Sequence, residues 1–187
     1  MCQCSNYNIG MDPLFTSAPD FGQPLAVLKH CHDRIRKQLA TLGRLVDHLP
    51  EFGANVDAKQ AANAVMKYFN HAAANHHEDE EHDLLPMLQA TAQGDDAELL
   101  KKRIPQLLQE HRTMDAAWKE LNQQLAAIAS GTGATLSSED VRRFSDTYTT
   151  HMAIEEADIA PMAKRIFNDA QMTHLGEAMR ARRNIIQ

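Results

Sequence analysis

Residues 76–86 read HHEDEEHDLLP, and residues 151–161 read HMAIEEADIAP. Both fit His-x-x-x-Glu-Glu-x-x-x-x-Pro without a gap, as His76, Glu80, Glu81, Pro86 and as His151, Glu155, Glu156, Pro161. Positions i and i+4 of an α-helix share a face, one turn apart. Each copy therefore points an imidazole and a carboxylate the same way, and both groups suit borderline and hard metal ions. Two such helices can close on a metal site from opposite sides. His77 and Glu81 are rotated about 100° from that face, which favours His76 and Glu80 as the donors.

The chain around these copies supplies a scaffold. Its 187 residues suit one domain with a proper core. Apolar residues make up 43% and charged residues 24%, which is ordinary globular usage. A formal charge of −6, with no basic patch before the last residues, argues against nucleic acid as a partner. The sequence has no apolar run of about 18 residues, so no membrane span is expected. The polar start MCQCSNYNIGMDPLF lacks a signal-peptide pattern. Cys2, Cys4 and Cys31 have no zinc-like spacing, and a reducing, cytoplasmic setting is expected.

Residues 1–23 read as an irregular segment. A first helix is expected from Pro24 to about Leu49. Its stripe is Leu25, Leu28, His32, Ile35, Leu39, Leu42, Val46 and Leu49, spaced alternately three and four as in a buried bundle seam. Asp57 is the expected cap of a second helix that runs to about Ala90. Its stripe is Ala62, Met66, Phe69, Ala73, His76, Glu80, Asp83 and Met87. A third helix carries Leu100, Ile104, Leu107, His111, Met114, Trp118, Leu121, Leu125 and Ile128. Pro105 is expected to kink it, or to split off a short piece over 96–103. Ser137-x-x-Asp140 resembles a capping box and opens a fourth helix with Val141, Phe144, Tyr148, His151, Glu155, Asp158, Met162 and Arg165 on its seam. Residues 168–187 contain a short amphipathic helix, read as a lid or packing element, with a protein-partner surface as the alternative. The expected fold is all-α: an up-down-up-down four-helix bundle over residues 24–167 with a short C-terminal helix.

Each of the four seams contains one histidine: His32, His76, His111 and His151. Two seams also contain a carboxylate, Glu80 and Glu155. A buried, ionised, uncompensated Glu costs several kcal/mol. No seam Lys or Arg stands beside these two, so a metal is the simplest counter-charge. Imidazoles and carboxylates without Cys suit iron, manganese or zinc. Four His and two Glu exceed one four-coordinate zinc. They fit two metals bridged by two carboxylates, each metal with two terminal imidazoles.

The doubled His-x-x-x-Glu-Glu motif, His32-x-x-Ile35 in the first helix and Glu110-His111 in the third resemble the hemerythrin-like (HHE cation-binding) family over roughly residues 24–167. The resemblance implies a four-helix bundle with a non-haem, oxo- or hydroxo-bridged centre of two Fe ions, for which Zn or Mn can substitute. The implied metal ligands are His32, His76, Glu80, His111, His151 and Glu155. The implied partner is a small diatomic ligand, oxygen first. Oxygen-carrying hemerythrins place a second His one turn after the ligand of the third helix, where this chain has Asp115. Their fourth helix uses an Asp at i+5, where this chain has Glu155 at i+4.

Three functions are compatible with such a site: binding or sensing of oxygen or another diatomic or redox signal, iron handling or iron–sulfur cluster repair, and enzymatic reduction of peroxide or nitric oxide. The reading favours a metal- and oxygen-binding protein over an enzyme. Asp115 lies one residue off the seam. An Asp115 out of reach would leave an open metal position walled by Met114, Phe69 and Phe144.

Overall fold

Five helices follow one another over residues 20–185, the span described in the computed structural model. They are α1 (Pro24–Phe52), α2 (residues 56–91), α3 (Asp95–Ser130), α4 (residues 138–166) and α5 (Asp169–Arg182). Among the described residues there is no strand. Cys2-x-Cys4 and the rest of residues 1–19 lie outside the described residues.

Local chemistry sets the helix ends. Pro24 opens α1, where a missing N–H leaves no bond unmade. Asn55, rather than the expected Asp57, caps α2 by accepting from the Ala58 amide at 2.9 Å. Asp57 lies in the first turn instead, where its charge favours the helix dipole. Ser137 caps α4 through the Asp140 amide at 3.2 Å. Pro105 does not split α3, which is continuous from Asp95 to Ser130. The carbonyl that proline cannot satisfy is that of Lys101, one turn earlier, and both residues face solvent, so water can take that bond.

α1 packs beside α2 and α4, and α3 packs beside the same two helices on the far side. Two apolar clusters fill the bundle. One gathers Ile35, Leu39, Phe69, Ala73, Met114, Leu121, Phe144 and Met152. The other gathers Leu28, Leu84, Leu88, Leu107, Ile159, Met162, Leu175 and Met179. Along the chain α1 and α3 run from the second cluster to the first, while α2 and α4 run back, which is the up-down-up-down order. Between the clusters each helix contributes buried polar side chains: His32, then His76 and Glu80, then His111, then His151 and Glu155. The apolar layers exclude water from this polar layer on both sides.

Of three widened turns among the described residues, one at Tyr68–Ala73 precedes the polar layer and two begin in it. At residues 80–84 and 155–159 the helices are π-helical. The Leu85 amide donates to the Glu80 carbonyl, and the Ala160 amide to the Glu155 carbonyl, five residues back in each case. Pro86 and Pro161 follow directly. A proline ring clashes with the carbonyl four residues earlier, and a widened turn ahead of it relieves that clash. The extra residue moves the seam. Leu84 and Ile159 are buried, where the three-four stripe read from the sequence had Asp83 and Asp158. The freed carboxylates form ion pairs, Asp83 with Arg182 at 2.6 Å and Asp158 with Arg103 at 2.8 Å.

α5 is a packing helix. Asn168 and Gln171 close a capping box at its start. Leu175, Gly176 and Met179 are buried against the bundle. A Cβ on Gly176 would lie 1.9 Å from the Phe21 carbonyl oxygen, so only glycine permits this approach. At the end of α5, Arg182 and Arg183 both grip Asp79, which has no exposed surface. Arg183 does so through two bonds, of 2.6 and 3.0 Å.

Candidate metal centre

The structure brings the six expected residues into one buried cluster. None is more than 3% exposed. They form two overlapping groups of four, His32, His76, Glu80, Glu155 and Glu80, His111, His151, Glu155, with donor atoms within 4.8 Å of one another in each. The two carboxylates belong to both groups. Glu80 turns Oε1 toward His76 Nε2 at 3.2 Å and Oε2 toward His111 Nε2 at 3.4 Å. Glu155 turns Oε2 toward His32 Nε2 at 3.2 Å and Oε1 toward His151 Nε2 at 3.3 Å.

These short distances are not hydrogen bonds. His32 Nε2, both nitrogens of His76, Glu80 Oε2 and both Glu155 oxygens are buried without a hydrogen-bond partner. The His111 and His151 rings show what is missing. His111 Nδ1 lies 2.6 Å from Glu81 Oε1, and His151 Nδ1 lies 2.9 Å from Glu110 Oε2. A carboxylate only accepts, so each Nδ1 carries the proton and each neutral Nε2 presents a lone pair. Those two Nε2 atoms are 3.0 Å apart. Two lone pairs at that distance repel, so either a shared proton or a metal cation belongs between them. Two nitrogens about 2.1 Å from one ion and at right angles lie about 3 Å apart. The orphaned atoms and the donor chemistry therefore fit metal ions.

Charge leads to the same demand. Burial pushes the Glu80 carboxyl well above its ordinary range, and the neighbouring Glu155 adds to the push. Burial acts on Glu155 in the same sense, but His151 and His32 beside it prevail and hold it well below that range. Burial lowers His32 and His151, yet Glu155 more than reverses this, so both rise above the ordinary histidine value. His76, buried and surrounded by other imidazoles, is driven well below it. Without a cation the cluster must hold protons in place of positive charge.

An outer ring orients the imidazoles. His32 Nδ1–H donates to Glu156 Oε1 at 3.0 Å, and Arg36 holds the same oxygen at 2.8 Å. Gln106 donates to Glu110 Oε1 at 2.9 Å and accepts from Arg103. Glu81 and Glu156 do not enter the donor cluster, in keeping with their rotation off the seam. Each instead reaches across to a histidine of another helix, a role that seam spacing alone does not reveal. The signal was the second Glu of each copy, and the Glu that precedes His111: a residue beside a ligand faces the adjacent helix.

His77 is also buried and stacks on His111 with ring centres 4.1 Å apart. Its Nε2 lies 3.3 Å from the Tyr148 hydroxyl. Asp115 does not reach the cluster; its side chain is 69% exposed and ends 3.9 Å from His77 Nδ1. Met114 and Phe144 are packed core, and Phe69 lines a small cavity of ≈ 180 Å³ beside His77 and Asp115 that includes none of the six cluster residues. The approach lies elsewhere. A cavity of ≈ 570 Å³ between α1 and α4 reaches His32, Glu80 and Glu155.

The chain matches the hemerythrin HHE cation-binding domain over residues 23–163. It belongs to that family. This HHE protein is also similar to an uncharacterized protein of Haemophilus influenzae, at 27% identity over 165 residues, covering 88% of this chain and 92% of the relative. The family match accounts for the cation-binding character of the cluster. No helix among the described residues is long and apolar enough to cross a membrane.

Proposed function

We propose that the protein holds two metal ions, iron in preference to zinc or manganese, and uses them to bind or sense oxygen or a similar diatomic. His32 and His76 would hold one ion, His111 and His151 the other, with Glu80 and Glu155 shared. The observation that carries this reading is the sharing itself: each carboxylate turns one oxygen to each histidine pair. A bound ferrous pair supplies electrons to a small neutral ligand and four positive charges to the cluster.

The protein's own residues do the rest. Glu81, Glu110 and Glu156 fix three imidazoles with Nε2 inward. The apolar layers shield the cluster above and below and leave the cavity between α1 and α4 as the approach. His76 is held by helix position alone, since its Nδ1 has no partner. A reducing, cytoplasmic setting completes the reading; it keeps iron ferrous and Cys31, a free thiol, reduced.

Anaerobic titration with ferrous iron, followed by air and watched by visible absorption, tests the proposal. The expected result is saturation at two ions per chain and a new absorption band on exposure to air. Saturation at one ion or none, or a spectrum that air does not change, would overturn it.

A further inference from the structure

The cavity that reaches the metal cluster is larger than a diatomic ligand requires. A water's share of liquid volume is about 30 Å³, and a diatomic needs no more than about twice that. This cavity offers ≈ 570 Å³, inside the roughly 300–1,000 Å³ of pockets that take organic ligands. Its walls are apolar: Leu25 and Leu28 of α1, Leu84 of α2, Ile159 and Pro161 of α4. Its outer lining includes Lys29 and Lys164, both exposed, and Glu156, whose Oε1 is engaged by His32 and Arg36. Among the described residues the one lysine in a salt bridge is Lys101, with Glu98, so neither of these ammonium groups has a carboxylate partner there. At the inner end stand Glu80, Glu155 and His32, all buried, with oxygen and nitrogen atoms that lack hydrogen-bond partners.

A charged rim, an apolar shaft and a polar floor select an amphipathic molecule. We propose that the cavity binds an unbranched alkyl carboxylate of medium chain length. Its head lies between Lys29 and Lys164, and its chain runs down the shaft toward the cluster. The head belongs at the rim because two unpaired cations wait there, while the floor presents the two carboxyl groups of Glu80 and Glu155. The binding does not depend on the metal reading. If metals occupy the cluster, the proposal deepens that reading by naming the class of organic molecule that meets them.

The test uses the full chain, loaded with ferrous iron under anaerobic conditions and, separately, stripped by chelator. Titration calorimetry follows hexanoate, octanoate, decanoate and dodecanoate, with decanol as the uncharged control. Each added methylene should tighten binding about fourfold until the shaft is full, after which affinity levels off. Changing both Lys29→Glu and Lys164→Glu should weaken decanoate at least tenfold and leave decanol unchanged. Ala26→Trp, which fills the cavity from its α1 wall, should weaken both. Metal content should be unaltered in all these variants, and stripping should leave decanoate binding in place.

Absence of saturable carboxylate binding to the wild-type protein would overturn the proposal. So would decanoate affinity that disappears with the metal and ignores both lysines, since the head would then sit on the cluster. Lysine-dependent binding to a protein that takes up no metal would instead refute the metal reading and leave this one standing.

Discussion

The outer carboxylates make the sharpest test of how the cluster is built. Glu81→Gln, Glu110→Gln and Glu156→Gln each keep an acceptor for a histidine Nδ1–H but remove its charge. A hydrogen bond to a charged group contributes about 1.5–3 kcal/mol, and every 1.4 kcal/mol is tenfold in affinity. Outer-shell losses in metal sites run about 10–100-fold. The three positions should not be equal. The Glu110 side chain is 20% exposed, against 36% for Glu81 and 33% for Glu156, and Glu156 divides its oxygen between His32 and Arg36. Water screens the latter two more. Expected losses of ferrous affinity are therefore about tenfold for Glu81→Gln and Glu156→Gln, and larger, toward about 100-fold, for Glu110→Gln. Competition against a chromophoric ferrous chelator measures this, with Glu120→Gln on the exposed face of α3 as control. Because Glu80 and Glu155 serve both halves, Glu80→Gln and Glu155→Gln should each lose both ions. His111→Ala should preferentially empty its own half. Wild-type affinity in all three outer variants, or losses no larger than the control's, would refute the outer-ring account.

Stripping the metal should lower the melting temperature, since an ion at 1,000 times its Kd adds about 4 kcal/mol; equal melting with and without chelator would count against a metal centre. Asp79→Ala leaves Arg182 and Arg183 without their buried partner and should destabilise by about 3–5 kcal/mol, with amide exchange rising first in α5; unchanged exchange there would show that the clamp is not what holds the helix. Burial lowers His77 well below its ordinary 6.5, so as pH falls through 6.5 the unfolded chain takes a proton that the folded one refuses. Its contribution is thus present above that pH and is lost below it at about 1.4 kcal/mol per unit. His77→Gln should flatten the urea midpoint between about pH 7 and 5 by that slope, and a wild-type slope in the variant would contradict a neutral, buried His77. Gly176→Ala should loosen α5 through its clash with the Phe21 carbonyl, seen as a lower midpoint that Gly176→Ala and Asp79→Ala share without adding fully.

How much of this was legible in the sequence depends on which physics each feature obeys. The positions of His32, His76, Glu80, His111, His151 and Glu155 follow from three-four spacing, which lands on His76 and Glu80 even though α2 already widens once at Tyr68–Ala73. Beyond Glu80 and Glu155 the same spacing misplaces Asp83, Asp158 and Arg165. The widened turns insert a residue there, and periodicity cannot register a change of period. Asn55 took the cap from Asp57 because either side chain could accept from a free amide, and the turn geometry decides which one does. Of the kink or split that Pro105 suggests, the split does not occur, because the carbonyl it leaves unpaired faces solvent. The Arg182 and Arg183 grip on Asp79 joins the C-terminal helix to the first motif copy, a pairing between residues about a hundred positions apart that local pattern does not carry. Likewise, Asp115 was placed off the seam correctly, but the opening follows from the packing of α1 against α4.

The repeated motif can now be divided by task. In each copy the histidine and the first glutamate share one helical face and enter the cluster. The second glutamate, rotated by one residue, leaves that face and holds the imidazole of a different helix: Glu81 that of His111, Glu156 that of His32. The proline ends the widened turn that begins at the first glutamate, and the Glu80 and Glu155 carbonyls thereby accept from a residue five positions on instead of four. That turn returns leucine and isoleucine to the core directly after the ligand and sends an aspartate outward to an arginine. The motif therefore specifies donors, the support for a neighbour's donor and the change of pitch that seals the site. Its two copies run in the same direction on helices that face each other across the bundle, α2 and α4, so each turns one carboxylate into the shared cluster from its own side.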